Sequence, residues 1–408
     1  MNILVEDNAP TGCKTSALES TAPLSVKVIS NWEELESLVA EWNAIVQRNR
    51  KLTIFSTPEW LGAWWRAFGQ NNQLCVLAFR HTHGFLVGLL PLYVQRIHFS
   101  ILPPLRELRF VGDGSSDSDN LDFVVLPGYE SAVARSLVQH LATNRHWDIC
   151  RLNVMPSDSV AANIFLQELS EARWKFETSA VPWTSIELPE TWEAYLQQLS
   201  PKERKKVGNL ARRLEKRYQA RFHKCCSIKE LPACLETLFL LHQKRWENRG
   251  ERGTFASSAR RRFYYDMAEQ FMLRGWLAFW MLELNGTAVA TQFGFRYLDT
   301  VYSLQEGFDP TYSADSVGYV LRSHCIKQFI ESGVRRYEFL AGQDSSKLRW
   351  NCLSGDYLNI HLARPGTHGS LHLSLARLSK TSKAWIRGIL PRPLVTFLNW
   401  LRPKSSPL

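Results

Sequence analysis

The sequence predicts an α/β protein with a mixed α+β sheet, built as two tandem domains of the same kind. Three observations point there. The chain has 408 residues, and single hydrophobic cores stop growing well before that length, so two domains are expected. Both halves show the same order of hydrophobic periodicities: helices, a hairpin with a third strand, a helix, a strand, a helix and a strand. Hydrophobic residues make up 45% of the chain and include 15 Trp, which is material for two cores.

In the first half, residues 31–47 place Trp32, Leu35, Leu38, Val39 and Trp42 on one helical face. Thr57-Pro58-Glu59 reads as a helix start, with a hydroxyl cap, Pro at the first position and an acid at the positive dipole end. Strands are expected over 73–80 and 85–94, with 121–126 as the third strand. A helix is expected from Tyr129, a strand over 148–154, a helix from Ser159 and a strand over 183–188. In the second half, helices are expected over 201–220, 231–248 and 257–273. A hairpin follows, 276–284 and 287–296, around Asn285-Gly286, the pair that type I′ turns demand. Next come a strand over 300–306, a helix over 316–332 closed by Gly333, a strand over 336–340, a short helix over 345–351 and a strand over 357–363. The domains are read as 25–190 and 191–365. Residues 1–24 read as a disordered tail, and 366–408 as a basic amphipathic tail.

Net charge is +10, which favours an anionic partner. No run approaches the roughly 18–20 apolar residues that cross a bilayer, and residues 1–23 lack the pattern of a signal peptide. A cytoplasmic protein is expected. The tail from Leu371 sets Trp385, Ile386, Phe397 and Trp400 among basic charges only, as peripheral contact at the inner membrane surface requires; packing on the body is the alternative. The eight cysteines form no CxxC pair, so reduced thiols and no metal are expected. Walker A, GxGxxG, GxSxG and HExxH motifs are absent.

Several stretches carry a family resemblance. They are Phe55-Ser-Thr-Pro-Glu-Trp-Leu with Ala63-Trp64-Trp65, the basic run Arg204 to Arg217, and Leu241-His242-Gln243-Lys244-Arg245-Trp246. With them go Gly307-Phe308-Asp309-Pro310 before Ser316-Val317-Gly318, and Phe339-Leu340-Ala341-Gly342 before Lys347 and Trp350. In this order they resemble the CelD-like cellulose and exopolysaccharide biosynthesis branch of the GNAT superfamily, related to the FemAB peptidoglycan aminoacyltransferases. The resemblance implies two GNAT-like acyl-CoA N-acyltransferase domains and acyl-CoA, such as acetyl-CoA, as co-substrate.

Ser316, Val317, Gly318 and Tyr319 open a helix, whose free N–H groups and dipole make an anion site. The resemblance implies that they hold the pyrophosphate of coenzyme A; an ordinary Ser cap is the plain alternative. Glu306 is placed as a general base near the thioester, against a solvent-facing role beside a turn. Tyr302, on the same strand, either donates a proton or packs. The resemblance gives Lys347 a charge-stabilising role, against a surface lysine beside Trp350. Arg204, Lys205, Arg212, His242, Arg245 and Trp350 are expected to line a cleft for a small-molecule or glycan-precursor acceptor that bears phosphate, although His242 shares the apolar helix face. Asp119-Asn120-Leu121-Asp122 reads as an Asx-type turn, with carboxylates that bind acceptor hydroxyls across the domain interface as the alternative. The reading is direct acyl transfer to an amine or hydroxyl in envelope or exopolysaccharide assembly. Aminoacyl transfer from tRNA and a non-catalytic scaffold of polysaccharide synthesis are its rivals.

Overall fold

The computed structural model describes residues 23–98, 104–248, 250–251, 253–370 and 373. The tail readings over 1–22 and from Leu371 onward, Leu373 apart, lie outside the described residues. In the first half the elements are β1 (Ser25–Ile29), α1 (Trp32–Glu36), α2 (Val39–Arg48), α3 (Pro58–Phe68), β2 (Gln73–Leu74), β3 (Val76–Arg80), β4 (Leu86–Leu90), β5 (Leu92–Ile97), β6 (Leu105–Phe110), β7 (Val124–Val125), α4 (Glu130–Thr143), β8 (Ile149–Pro156), α5 (Val160–Glu171) and β9 (Phe176–Glu187). The second half holds α6 (Trp192–Gln198), α7 (Pro201–Arg217), β10 (Ala220–Lys224), α8 (Leu231–Glu247), α9 (Ser258–Leu273), β11 (Leu277–Leu284), β12 (Thr287–Tyr297), β13 (Thr300–Phe308), α10 (Val317–Glu331), β14 (Arg336–Ala341), α11 (Ser345–Leu348) and β15 (Leu353–Ala363). No described helix is long and apolar enough to cross a membrane.

The mixed α/β class and the two-part order hold. The starts of α3 and α7 follow from local chemistry: Thr57 and Ser200 accept from the amides of Trp60 and Glu203, with Pro next in the chain. The third strand of the first half is a correction. It is β6, not residues 121–126, of which only Val124–Val125 pair. β6 reads Leu-Arg-Glu-Leu-Arg-Phe and hides its strand character in charge. Glu107 on it is 1% exposed, and Arg151 on β8 meets its carboxylate at 2.9 Å.

Each half contains one parallel pair, β6 with β8 and β13 with β14, and then a last strand. The last strands are exchanged. β9 of the first half pairs with β14 of the second, and β15 of the second pairs with β8 of the first. β9 and β15 also pair with each other over ten registered positions, from Leu353↔Ser185 to Leu362↔Phe176. The result is one sheet in the order β10-β11-β12-β13-β14-β9-β15-β8-β6-β5-β2, with β1-β3-β4-β7 as a separate four-stranded sheet.

The larger core also crosses between halves. Trp60 of α3 is fully buried, with ring centroids 5.1 Å from Phe263, 6.0 Å from Phe271 and 5.3 Å from Phe295. Arg66–Asp266 at 2.7 Å and Arg274–Glu59 at 2.5 Å tie α3 to α9 at the rim. A second core, with Tyr195, Leu282, Cys325, Ile326, Tyr337 and Trp350, fills the space between α6, α10 and the sheet.

Candidate active site

β13 and β14 pair only from Thr300↔Arg336 to Tyr302↔Glu338. Beyond that they diverge, and the gap between them opens a cavity of about 690 Å³. Ser303, Leu304, Gln305 and Glu306 form one wall, and Phe339, Leu340 and Ala341 another. The first half closes the space with Arg109, the loop from Asp113 to Asp119, and Asn153. A smaller pocket of about 260 Å³ at the start of α10 shares Arg245, Glu306, Arg322 and Ser346 with it. The two adjoin at these residues, one at a helix N-terminus and the other a polar chamber between the halves.

Backbone irregularities shape this chamber. The register of β13 against β12 skips Leu304, a bulge that takes one residue out of the ladder. Gly294 opposite is required: a Cβ there would lie 2.2 Å from the Tyr302 carbonyl oxygen. Leu340 at φ 63° and Val154 at φ 52° sit in the left-handed region, which branched side chains avoid. Side-chain acceptors stitch both kinks: Asp119 Oδ2 takes the Ala341 amide at 2.8 Å, and Asn359 Oδ1 takes the Val154 amide at 2.8 Å. Strain held in this way clusters at functional sites.

The start of α10 opens onto the smaller pocket. Ser316 is the cap residue of α10, but it stands at φ 55° and its side chain makes no capping bond. Ser316, Val317, Gly318 and Tyr319 all line the smaller pocket, with Arg245 and Arg349 across from them. A Cβ on Gly318 would meet nothing closer than Phe308 at 3.7 Å, so only a larger side chain would fill the space. Trp350 is buried beneath, stacked on Tyr319 at 4.5 Å.

Glu306 lines both pockets, within β13 rather than at its end, and its carboxylate belongs to Arg322. The guanidinium of α10 donates to both carboxylate oxygens, with Arg322 Nε to Oε1 at 2.9 Å. Burial alone disfavours the Arg322 charge, but Glu306 outweighs it and the guanidinium is held above its usual range. A carboxylate engaged in this way is an ion-pair partner before it is a base. Tyr302 is corrected too: it is 5% exposed in the larger core, 5.6 Å from Phe295 and 5.5 Å from Phe55. It packs and does not line the cavity.

Lys347 lines the cavity, and its ammonium is already held by carbonyls. Its Nζ donates to Phe339, Ala341 and Gly342 at 3.0, 2.7 and 3.2 Å, at the end of β14. Burial lowers its pKa, while Asp344 and Asp119 oppose the shift. It supplies a fixed positive charge in the wall.

Of the six expected acceptor residues, Arg245 lines both pockets and Trp350 the smaller one. His242 is 2% exposed and accepts from Trp246 Nε1 at 2.8 Å through Nε2. Indole N–H only donates, so the His242 proton sits on Nδ1. Burial, with Arg245 nearby, holds its pKa down to about 4, and it is a neutral core group. Arg204, Lys205 and Arg212 lie away from the cavity. Arg204 donates to the carbonyls of Leu196, Gln197 and Leu199 at the end of α6, Arg212 bonds within its own helix, and Lys205 is exposed. Other members of α7 meet the chain at the start of α10: Lys206 Nζ stands 4.4 Å from the Tyr319 ring centroid, and Arg217 holds buried Asp315 at 2.5 Å.

Residues 113–118 of the first-half loop are the part that sequence reasoning missed. Asp117 is buried between Arg260 Nε at 3.0 Å and Tyr264 Oη at 3.0 Å. Asp113 takes Arg109 and Asn153 at 2.9 and 2.8 Å. Asp119, read as part of a turn, reaches into the other half instead. Burial raises its pKa to about 6, against the Ala341 amide and Lys347, which lower it. One signal was available: three Asp among the hydroxyls of residues 113–119, a composition that suits a polar chamber as well as a turn.

Residues 201–348 match the family model described as an acetyltransferase (GNAT) domain. The structure superposes on the crystal structure of FemX with a TM-score of 0.55 at 11% identity, over 82% of this chain and 96% of that one. It superposes on a conserved protein of unknown function from Bacteroides thetaiotaomicron VPI-5482 with a TM-score of 0.51 at 14% identity, over 84% and 100%. At such identities the likeness concerns the fold. No curated protein matches the sequence.

Proposed function

We propose that this chain, whose residues 201–348 match a GNAT acetyltransferase domain, moves an acyl group from acyl-CoA to an amine or hydroxyl held between its halves. One observation carries the reading: the pocket at the uncapped start of α10 adjoins the cavity in the gap between β13 and β14, with four residues common to both. Ser316, Val317 and Gly318 receive the donor's pyrophosphate, with Arg245 and Arg349 alongside. The bulge at Leu304 puts backbone outside the ladder at the cavity wall, where an amide can meet the oxyanion that forms on the acyl carbonyl. The acceptor sits among Asp117, Ser118, Asn153 and Asn359, in a chamber suited to a polar, hydroxyl- or amine-bearing molecule. Asp119 is the base. It takes the proton of the attacking group as the new bond to the acyl carbon forms, and the carbon–sulfur bond then breaks to release the CoA thiolate. A pKa near 6 leaves Asp119 ionised at neutral pH yet basic enough to help. By the sequence resemblance, the acceptor belongs to envelope or exopolysaccharide assembly.

Calorimetry with acetyl-CoA and longer acyl-CoAs tests the donor site. Saturable binding is expected in the native protein, and Gly318→Glu should lose it at least tenfold by placing a carboxylate where the phosphates go. Absence of binding to any acyl-CoA overturns the reading. A second reading, aminoacyl transfer from tRNA, draws on the exposed cations Lys205, Arg212 and Lys216 of α7, which suit a polyanion longer than CoA. It expects RNA binding that weakens steeply with salt.

A further inference from the structure

At the outer edge of the large sheet, far along α8 from Arg245, three metal-type donors converge, and a fourth, Cys225, lies against one of them. His223 and Cys225 are two apart at the end of β10, so they project to the same side of the strand. Glu230 and Cys234 are four apart at the start of α8, so they lie one above the other on the helix. One donor atom from each of His223, Glu230 and Cys234 lies within 4.8 Å of the others. His223 Nε2 and Glu230 Oε2 are 3.0 Å apart. The Cys225 and Cys234 thiols hydrogen-bond each other, and both residues are buried. The turn between strand and helix is built to hold this geometry. Glu230 Oε1 accepts from the amides of Cys226 and Ser227 at 2.5 and 2.8 Å, leaving Oε2 toward His223. The Cys225 amide is anchored to the Phe279 carbonyl at 2.9 Å.

We infer that Cys225, Cys234, His223 and Glu230 form a structural zinc site that clamps β10 to the start of α8. Two thiolates, an imidazole and a carboxylate make a donor set that Zn²⁺ prefers, in the closed four-ligand form of a structural site. Bond lengths of about 2.0–2.3 Å place tetrahedral ligand atoms roughly 3.3–3.8 Å apart, so His223, Glu230 and Cys234 need to close in by about 1 Å, with the Cys225 thiol drawn in beside Cys234. The ion would replace the hydrogen bonds that now join His223 to Glu230 and one thiol to the other. The expectation of no metal rested on the lack of a CxxC pair. Here the pairing comes from a strand and a helix, which linear spacing does not display. The inference is independent of the acyl-transfer reading.

The full chain, kept reduced, is titrated with Co²⁺ and then with Zn²⁺. One equivalent of Co²⁺ should bind, with a near-ultraviolet thiolate-to-cobalt band that Zn²⁺ abolishes, and Zn²⁺ should raise Tm. The Cys225→Ser/Cys234→Ser double variant should lose the band, while Cys226→Ser, which alters the exposed neighbour, keeps it. His223→Ala, at the sheet edge, should weaken Zn²⁺ at least tenfold in competition with a chromophoric chelator. The native titration stands even if the double variant misfolds. No thiolate band in the native protein, or a band undiminished in a folded double variant, overturns the inference.

Discussion

Asp119 carries more of the proposed chemistry than any acid chosen from the sequence. Its buried carboxyl spans the halves through the Ala341 amide and faces the Lys347 ammonium, while Glu306 is engaged by Arg322. An acid whose folded pKa rises to about 6 must lose its proton to serve as a base. We therefore expect kcat/KM to climb from pH 5 to 7 along a limb centred near pH 6. Asp119→Asn should remove that limb and lower kcat by about 10²–10⁴-fold, the span of general base catalysis. The stability consequence has the opposite sense. The folded pKa lies above the unfolded one, so the stabilisation is present below about pH 4 and is lost as pH rises through about 6. Denaturant unfolding at pH 4 and pH 8 should thus favour Asp119→Asn over the native protein at the higher pH. A flat rate profile across this range in the native enzyme would remove Asp119 from the mechanism. His242 shows the same physics with the other sign: an apolar helix face in the sequence already marked it as a core group, and burial keeps it neutral.

Elements meet the site through close backbone approach. α8 lies on β13 at Gly307, where a Cβ would stand 2.6 Å from the His242 amide nitrogen and 2.9 Å from the Leu241 carbonyl carbon. Gly307→Ala must push helix from strand, and overpacking of this kind costs about 1–3 kcal/mol. Urea unfolding should show that loss, with KM for the donor rising because Arg245 rides on α8. An unchanged midpoint would mean that the helix is not seated as described. Much of this level was legible. The Asn285-Gly286 hairpin and the α3 start follow from turn and cap chemistry that acts within a few residues. β6 was not legible, because Arg106, Glu107 and Arg109 break its apolar alternation and their partners Asp148, Arg151 and Asp113 lie outside the strand. The basic helix α7 was visible as charge, but only packing shows that Lys206 meets Tyr319, Arg217 meets Asp315 and Arg204 turns back to the end of α6.

The exchange of β9 and β15 makes the two halves one folding unit. Residues 191–365 on their own would leave β14 and β15 without β9 and β8, exposing long unpaired edges, and would lay bare the faces that Trp60 and Phe55 cover. We expect that segment to aggregate or to lack a cooperative melt, whereas the full chain unfolds in a single transition by calorimetry. A stable, cooperatively folded 191–365 would contradict this account. The same exchange explains what could be known early. The sequence by itself determined the α/β class, the repeated order, the position of α10 and the cationic surface, since each rests on periodicity or charge within a short window. Tertiary structure alone decided that the final strands trade places, that Arg322 occupies Glu306, and that Asp119 enters the second half's chamber. Those are pairings between residues up to 222 positions apart. A burial or a charge partner at that distance leaves no periodic trace along the chain.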